Sequence, residues 1–323
     1  MGDDTQRWNE LAAQIAIDSI RATTAAGSGH PTSSMSMAHL LAVLFADHLR
    51  FDVKDPHYRG NDRFVLSKGH AAPGLYAVLK AVGAFDDDVL LSLRREGSPL
   101  QGHPAPIPEF PWVDVATGSL GQGLAAGLGM ALAMRMDRID ARVWVLLGDS
   151  EMAEGSVWEA MEATSFHGAG NLTAILDLNR LGQRGPTMHG WDADVFGDRA
   201  HAFGWNAIEI DGHDVAAIDT AYRSAVADDR PTMIVARTEK GHGVSFLADQ
   251  EGWHGKAVPA ARLDEAVAEL GGVHDVGCTP PAPRDLPPLP STSYRDVPRP
   301  TYEAPIATRK AFGEALAWLA ATN

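Results

Sequence analysis

RVWVLLGDSEMAEGSVWEAMEATSFHGAGNLTAILDLNRLG, residues 142–182, decides how the rest of the chain must be arranged. Its apolar run from Val143 to Leu147 reads as a buried strand, Gly148-Asp149 as a tight turn, and residues 155–167 as a helix. A second apolar strand, Leu172 to Asp177, follows and leads to Asn179. Strand, helix and strand in that order, both strands rich in Val, Leu and Ile, predict a right-handed parallel crossover. In such sheets ligands gather at the carboxyl ends of the strands, where Asp149 and Asn179 both fall. A carboxylate and an amide oxygen placed there can share one hard cation. Magnesium takes oxygens in an octahedron and completes its shell with phosphate and water. Taken singly, Asp149 fits a helix N-cap and Asn179 a turn residue. As a pair at two neighbouring strand ends, they point to a metal.

Outward from this unit the same rhythm continues. GWNAIEIDGHD (204–214) is a strand and a turn, residues 215–227 a helix, and PTMIVARTEKGHGVS (231–245) another strand with a basic, glycine-broken turn. The fold class that follows is α/β: a doubly wound, mostly parallel sheet with helices on both faces. Before the central unit, residues 5–26 carry Leu11, Ile15 and Ile20 at helical spacing, and GSGHPTSS (27–34) breaks the chain around His30. NDRFVLSKGHAAPGLYAVL (61–79) sets Lys68, Gly69 and His70 ahead of a helix, where an ammonium, an imidazole and a positive helix end can face an anion. GSPLQGHPAP (97–106) presents His103 in the style of His30. TGSLGQGLAAGLGMALAM (117–134) is a glycine-studded loop entering a helix; Gly118, Ser119 and Leu120 suit close backbone approach to a flat heterocycle, Gly127 and Gly129 close packing on the sheet. DQEGWHGKAVP (249–259) holds His254 and Lys256 in an irregular loop, and a helix over residues 260–270 closes the domain.

The composition excludes several function classes. A net charge of −15 argues against nucleic acid and anionic membranes as partners, since both demand clustered Lys and Arg. No apolar run approaches the length of a membrane span. The acidic start, MGDDTQRW, lacks the apolar core of a signal peptide, and a single cysteine, Cys278, suits a reducing cytoplasm. Residues 278–305 turn proline-dense and read as an extended linker, followed by one short helix, ATRKAFGEALAWLAATN.

Gly-Asp followed about thirty residues later by Asn-x-Leu resembles the thiamine-diphosphate motif, and GSLGQG, GSVWEAME and ILDLNRLGQ resemble transketolases. One residue departs from the pattern: Gly-Asp-Gly reads Gly-Asp-Ser, so Ser150 keeps a backbone N–H for a phosphate but adds a side chain. The resemblance implies a thiamine-diphosphate-binding fold. It implies that Asp149, Asn179 and the Leu181 carbonyl hold Mg2+, with Ca2+ or Mn2+ as substitutes. Ser33, His70, Gly118, Ser119, Leu120, Ser150, Asn179, Lys240 and His254 would contact the cofactor, and Glu154 would brace the metal loop or the domain contact. His30, His103 and His254 would surround the donor's carbonyl and hydroxyl groups, taking and giving protons near pH 7. Of the 13 histidines, His48, His57, His167 and His201 fit surface or cap positions, while His189, His213 and His242 stay open.

The same resemblance divides the chain into a diphosphate-binding domain (1–275), a proline-rich linker (276–306) and the first helix (307–323) of a pyrimidine-binding domain. The family's glutamate that activates the cofactor, and the arginine and serine groups that hold sugar phosphates, belong to that second domain. The implied activity is a transketolase moving a two-carbon ketol unit from a ketose or its phosphate to an aldose or its phosphate. The implied partner is a separately encoded C-terminal subunit, assembled as a heterotetramer through an interface well above about 1,000 Å². Other readings stay open: a deoxyxylulose-phosphate-synthase-like enzyme, a 2-oxo acid dehydrogenase alpha-type subunit, a non-catalytic binding or regulatory homologue, or a piece of a longer enzyme.

Overall fold

Five short strands form one parallel sheet, buried on both faces at its centre and partly open at its two edge strands. They are β1 (Arg63–Leu66), β2 (Val143–Gly148), β3 (Leu172–Leu178), β4 (Asn206–Asp211) and β5 (Thr232–Arg237), in the spatial order β1-β2-β3-β5-β4. The computed structural model describes residues 2–286 and 297–322, so the middle of the expected proline-rich linker lies outside the described residues. The doubly wound α/β architecture predicted from the sequence is observed. β1 is the one strand not foreseen: it has only four residues, and its first two are only partly buried, so no strand period develops.

Alternation along the strands separates two cores. Trp144, Leu146, Ile175 and Ile234 face one way, packing with helices Gly2–Ala26, Ala38–Val43, Ala72–Ala81 and Val215–Ala227. Val145, Leu147, Ala174, Leu176 and Val235 face the other, against helices Gly123–Met136, Gly155–Phe166 and Ala193–Ala202. Every residue of β2 and β3 is buried. At about 1.5–3 kcal/mol per fully buried large side chain, these two strands anchor the sheet. Gly127 is what lets its helix approach: a Cβ there would stand 2.6 Å from Val145 Cγ2. Gly129 has open space at that point, so the packing reason holds for Gly127 alone.

Parallel pairing sets the ends of the strands level. Gly148 is in register with Asp177, and Asp177 with Ala236, so the loops after β2, β3 and β5 leave the sheet side by side. The loop after β1 joins them. The chain forms two compact units, residues 1–284 and 285–323. In the first unit, Phe51 N donates to Pro281 O (2.9 Å) and Cys278 N to Ala81 O (3.0 Å), so the start of the expected linker is tied down. In the second, the helix Thr308–Thr322 is described, with Trp318 Nε1 donating to Val297 O at 2.7 Å. No helix among the described residues is long and apolar enough to cross a membrane.

Candidate functional site

Asp149 begins the loop after β2, and its carboxylate is committed to holding that loop against the next. Oδ1 accepts from Ser150 N (2.8 Å), while Oδ2 accepts from Arg180 N (2.7 Å) and Thr187 Oγ1 (3.3 Å). Arg180 reaches it from a left-handed conformation, φ 63°, that turns the chain sharply after β3. Burial, then the nearby Asp177 charge, pushes the Asp149 carboxyl up to about 6. Asn179 is buried as well, with Nδ2 donating to Asp177 Oδ2 (2.8 Å) and Oδ1 accepting from Leu181 N (3.3 Å). The Leu181 carbonyl accepts from Lys240 Nζ at 2.7 Å. Three oxygens expected as metal ligands thus lie on two adjacent strand-end loops, one of them already beside a cationic group.

Asp177, absent from the expected site residues, organises this arrangement. It is fully buried, and its two oxygens take Lys68 Nζ, Ser36 Oγ (2.7 Å), Asn179 Nδ2 and Thr238 Oγ1. Burial works against its charge, but Lys68, then Thr238 and Ser36, outweigh burial and hold the carboxyl below its ordinary value. An ionised carboxylate only accepts, so it selects the nitrogen end of the Asn179 amide and leaves the oxygen end available. Lys68 does line the cavity described below, yet its ammonium is engaged by Asp177 and by the Ser33 carbonyl (3.0 Å) rather than left to an outside anion. A signal for Asp177 was present: one charge inside LTAILDL, two residues before Asn179 and therefore on the same strand face.

A cavity of about 190 Å³ opens beside these groups, lined by Ser33, Lys68, His70, Leu120, Asp149, Ser150, Glu151, Asn179, Leu181, Gln183, Lys240 and His254 among others. His30, His70 and His254 form a triangle of rings with centroids 4.9–5.2 Å apart. Burial first, then neighbouring cationic groups, lowers all three, to about 4 for His30, about 2 for His70 and about 3 for His254. Each is neutral at pH 7. Burial and then Lys68 lower the Lys240 ammonium to about 8, and its Nζ lies 2.9 Å from His254 Nδ1. Two polar atoms in this neighbourhood are buried without a partner, Ser33 Oγ and His30 Nδ1.

The glycine loop is only partly at the cavity. Leu120 lines it, whereas Gly118 and Ser119 are not among the lining residues. Gly118 has φ +136°, and a Cβ there would stand 2.7 Å from His103 Cδ2, so glycine is required for His103 to pack across it. His103 itself is exposed, and its nearest site relation is electrostatic, through His30. Ser150 is exposed yet lines the cavity, and a Cβ on Gly182 would meet its Oγ at 3.1 Å. The brace of the Asp149 loop is Glu151 rather than the exposed Glu154. The Glu151 carboxylate accepts from Ser67 Oγ, Gly121 N (2.8 Å) and Gly148 N (3.0 Å). His48, expected at a surface or cap position, ends the helix Leu44–His48 with its side chain buried 2.9 Å from Asp219.

The chain is similar to known proteins over nearly its whole length. The profile of the transketolase thiamine diphosphate binding domain matches residues 7–276. Human transketolase is 46% identical over 321 residues, covering 97% of this chain and 51% of the relative. Bovine transketolase-like protein 2 is 44% identical over 326 residues, covering 98% and 52%. Among solved structures, transketolase from Campylobacter jejuni aligns with a TM-score of 0.77 at 30% identity, covering 83% of this chain and 43% of that one. A Pichia stipitis transketolase in complex with sedoheptulose-7-phosphate aligns with a TM-score of 0.75 at 30% identity, covering 82% and 41%. The chain spans about half the length of the curated relatives it matches.

Proposed function

Because the chain belongs to the transketolase family through its thiamine diphosphate binding domain, we propose that the cavity beside Asp149 and Asn179 holds the diphosphate end of that cofactor with a divalent cation. The observation that carries the reading is the meeting, around one cavity, of three oxygen donors with the cationic Lys240 and the unpartnered Ser33 hydroxyl. The donor set suits a hard cation: the Asp149 carboxylate, the Asn179 amide oxygen and the Leu181 carbonyl. Magnesium is the expected ion, with calcium or manganese able to replace it. A buried hydroxyl without a partner costs free energy unless a ligand oxygen meets it, and Ser33 is placed for that role.

Lys240, His70 and His254 would meet the diphosphate, joined by the Ser150 backbone N–H once it leaves its present acceptor Asp149 Oδ1, and Leu120 would support the heterocycle, with Gly118 and Ser119 shaping the loop beneath it. When bound, thiamine diphosphate supplies the electron sink that allows a ketose carbon–carbon bond to break. His30 and His254, held neutral by burial, would accept a proton from a substrate hydroxyl, and His103 would reach the same substrate from its exposed loop. The reaction would be transfer of a two-carbon ketol unit between sugar phosphates. The Pichia stipitis relative, solved with sedoheptulose-7-phosphate, supports that substrate class.

Relatives about twice as long carry a further half. The pyrimidine end of the cofactor would be bound there, supplied by a C-terminal subunit in a heterotetramer or by a continuation of this polypeptide. The domain reading that goes with it keeps residues 1–275 as the diphosphate-binding part, 276–306 as linker and 307–323 as the opening helix of the next domain. Calorimetric titration of thiamine diphosphate and magnesium into the full chain, alone and mixed with that half, tests the proposal. Saturable, magnesium-dependent heat that Asp149→Ala abolishes, with ketol transfer in the mixture, is the expected result. Unaltered binding in Asp149→Ala and Asn179→Ala would refute it.

A further inference from the structure

Behind the Lys240 loop stands a cluster that the site does not use: His39, His213 and His242, whose ring nitrogens lie within 4.8 Å of one another. His39 is on the helix Ala38–Val43, His213 in the turn after β4, and His242 in the turn after β5. The spacing invites a metal reading, but the hydrogen bonds oppose it. The Glu239 amide donates to His213 Nε2 at 2.8 Å, so that nitrogen carries no proton. A neutral imidazole then holds its single proton on Nδ1, which faces His39 Nδ1 at 3.2 Å. A metal on His213 Nδ1 would need a proton on Nε2, directed at an N–H group. Metal-bound histidines instead donate their second nitrogen to an acceptor.

We propose that His213 and His39 form a neutral hydrogen-bonded strut that positions the Thr238–Lys240 turn, and so positions Lys240 in the cofactor site. The order of donors is Glu239 N–H to His213 Nε2, then His213 Nδ1–H to His39 Nδ1, leaving His39 protonated on Nε2. Glu239 stands between two residues that reach the site. Thr238 Oγ1 donates to Asp177, and Lys240 Nζ donates to Leu181 O at 2.7 Å. His242 reinforces the same residue from outside: its ring stacks on His213 at 3.6 Å and 12°, and its Nδ1 lies 3.2 Å from Glu239 Oε2.

A proton added at either end breaks the chain of donors. A charged His213 has no acceptor for Glu239 N–H, and a charged His39 sets two N–H groups against each other. Burial and the neighbouring histidines keep both rings neutral, against the opposing pull of Asp211 on His39 and Asp177 on His213. The role assigned to Lys240 rests on the proposed function. The strut itself does not.

The test has two parts on the full chain. Nitrogen-15 spectra of the imidazoles should show His213 protonated on Nδ1 and His39 on Nε2, both still neutral at pH 5. Hydrogen exchange at Glu239 should speed up by about tenfold or more in His213→Leu. In His213→Gln, whose side-chain oxygen can stand where Nε2 stands, it should stay within about threefold of the parent. Magnesium-dependent cofactor affinity, measured by calorimetry, should follow the same order. A His213 proton on Nε2, an equivalent of zinc held by the three rings and lost in His39→Leu, or unchanged Glu239 exchange in His213→Leu would each overturn the strut. If cofactor binds to no form of the chain, the proposed function falls, and the tautomer and exchange results still decide this one.

Discussion

Replacing Lys68 with methionine isolates the buried pair on which the site's geometry depends. The Lys68 and Asp177 side chains are 1% and 0% exposed, so neither charge has water to fall back on. Removing one partner of such a pair typically costs about 3–5 kcal/mol, because the other charge stays buried without its counter-ion. Methionine fills nearly the same volume, which keeps the cavity contribution below about 1.5 kcal/mol. Ser36, Thr238 and Asn179 still donate to Asp177, and this places the expected loss near the lower end, about 3 kcal/mol. For a domain of this size that corresponds to a fall in Tm of about 6–12 °C. Urea unfolding of the full chain, followed by tryptophan fluorescence, should show a lower midpoint with an unchanged slope. Arg262→Ala, which removes an exposed pair with Glu265 and the stack of the guanidinium on Phe246, is the control and should shift the midpoint far less. A Lys68→Met loss no larger than that control would refute the argument that Asp177 is held charged by Lys68.

Three further outcomes follow from single atoms of the site. Ser33→Ala removes a buried hydroxyl that has no partner, so stability in urea should hold or rise, while calorimetric affinity for thiamine diphosphate falls by about fivefold or more. His30 is neutral in the fold down to about pH 4, below its ordinary 6.5, so stability without cofactor is complete above about pH 6.5 and is lost as pH falls towards 4. His30→Gln should flatten that decline by up to about 1.4 kcal/mol per pH unit, measured by urea midpoints between pH 7 and 4.5. Ser150→Gly should leave cofactor affinity within about twofold, since the serine lies at the exposed rim of the cavity and its backbone N–H is kept in the glycine variant; a tenfold gain in affinity would show that the hydroxymethyl group crowds the diphosphate.

What was legible in the sequence is what depends on neighbours along the chain. Period and punctuation along residues 142–182 placed β2, β3 and the intervening helix within a residue or two, and with them Asp149 and Asn179. β1 escaped because Arg63 and Phe64 are only partly buried and Leu66 runs straight into the Ser67-Lys68-Gly69 turn, so four residues show no period of their own. The family resemblance carried Ser33, Lys240 and His254, whose segments lie far apart in sequence but line one cavity.

Buried polar pairing was not legible, for a reason that Lys68 makes concrete. Its partner is 109 residues away, and nothing local separates a lysine that awaits an anion from one already neutralised beneath the sheet edge. The partner did leave a trace, because an aspartate inside an otherwise apolar buried strand must find a cation or hydrogen-bond donors. Asp177 finds both, and in doing so it fixes which end of the Asn179 amide faces away from it. The same logic separates Glu151 from Glu154, three positions apart and identical in chemistry. One enters the fold and its carboxylate receives two backbone amides; the other is exposed and bonds the Asp149 loop through its backbone N–H alone. Choosing between them requires knowing where Gly121 and Gly148 come to rest, and that depends on the completed sheet.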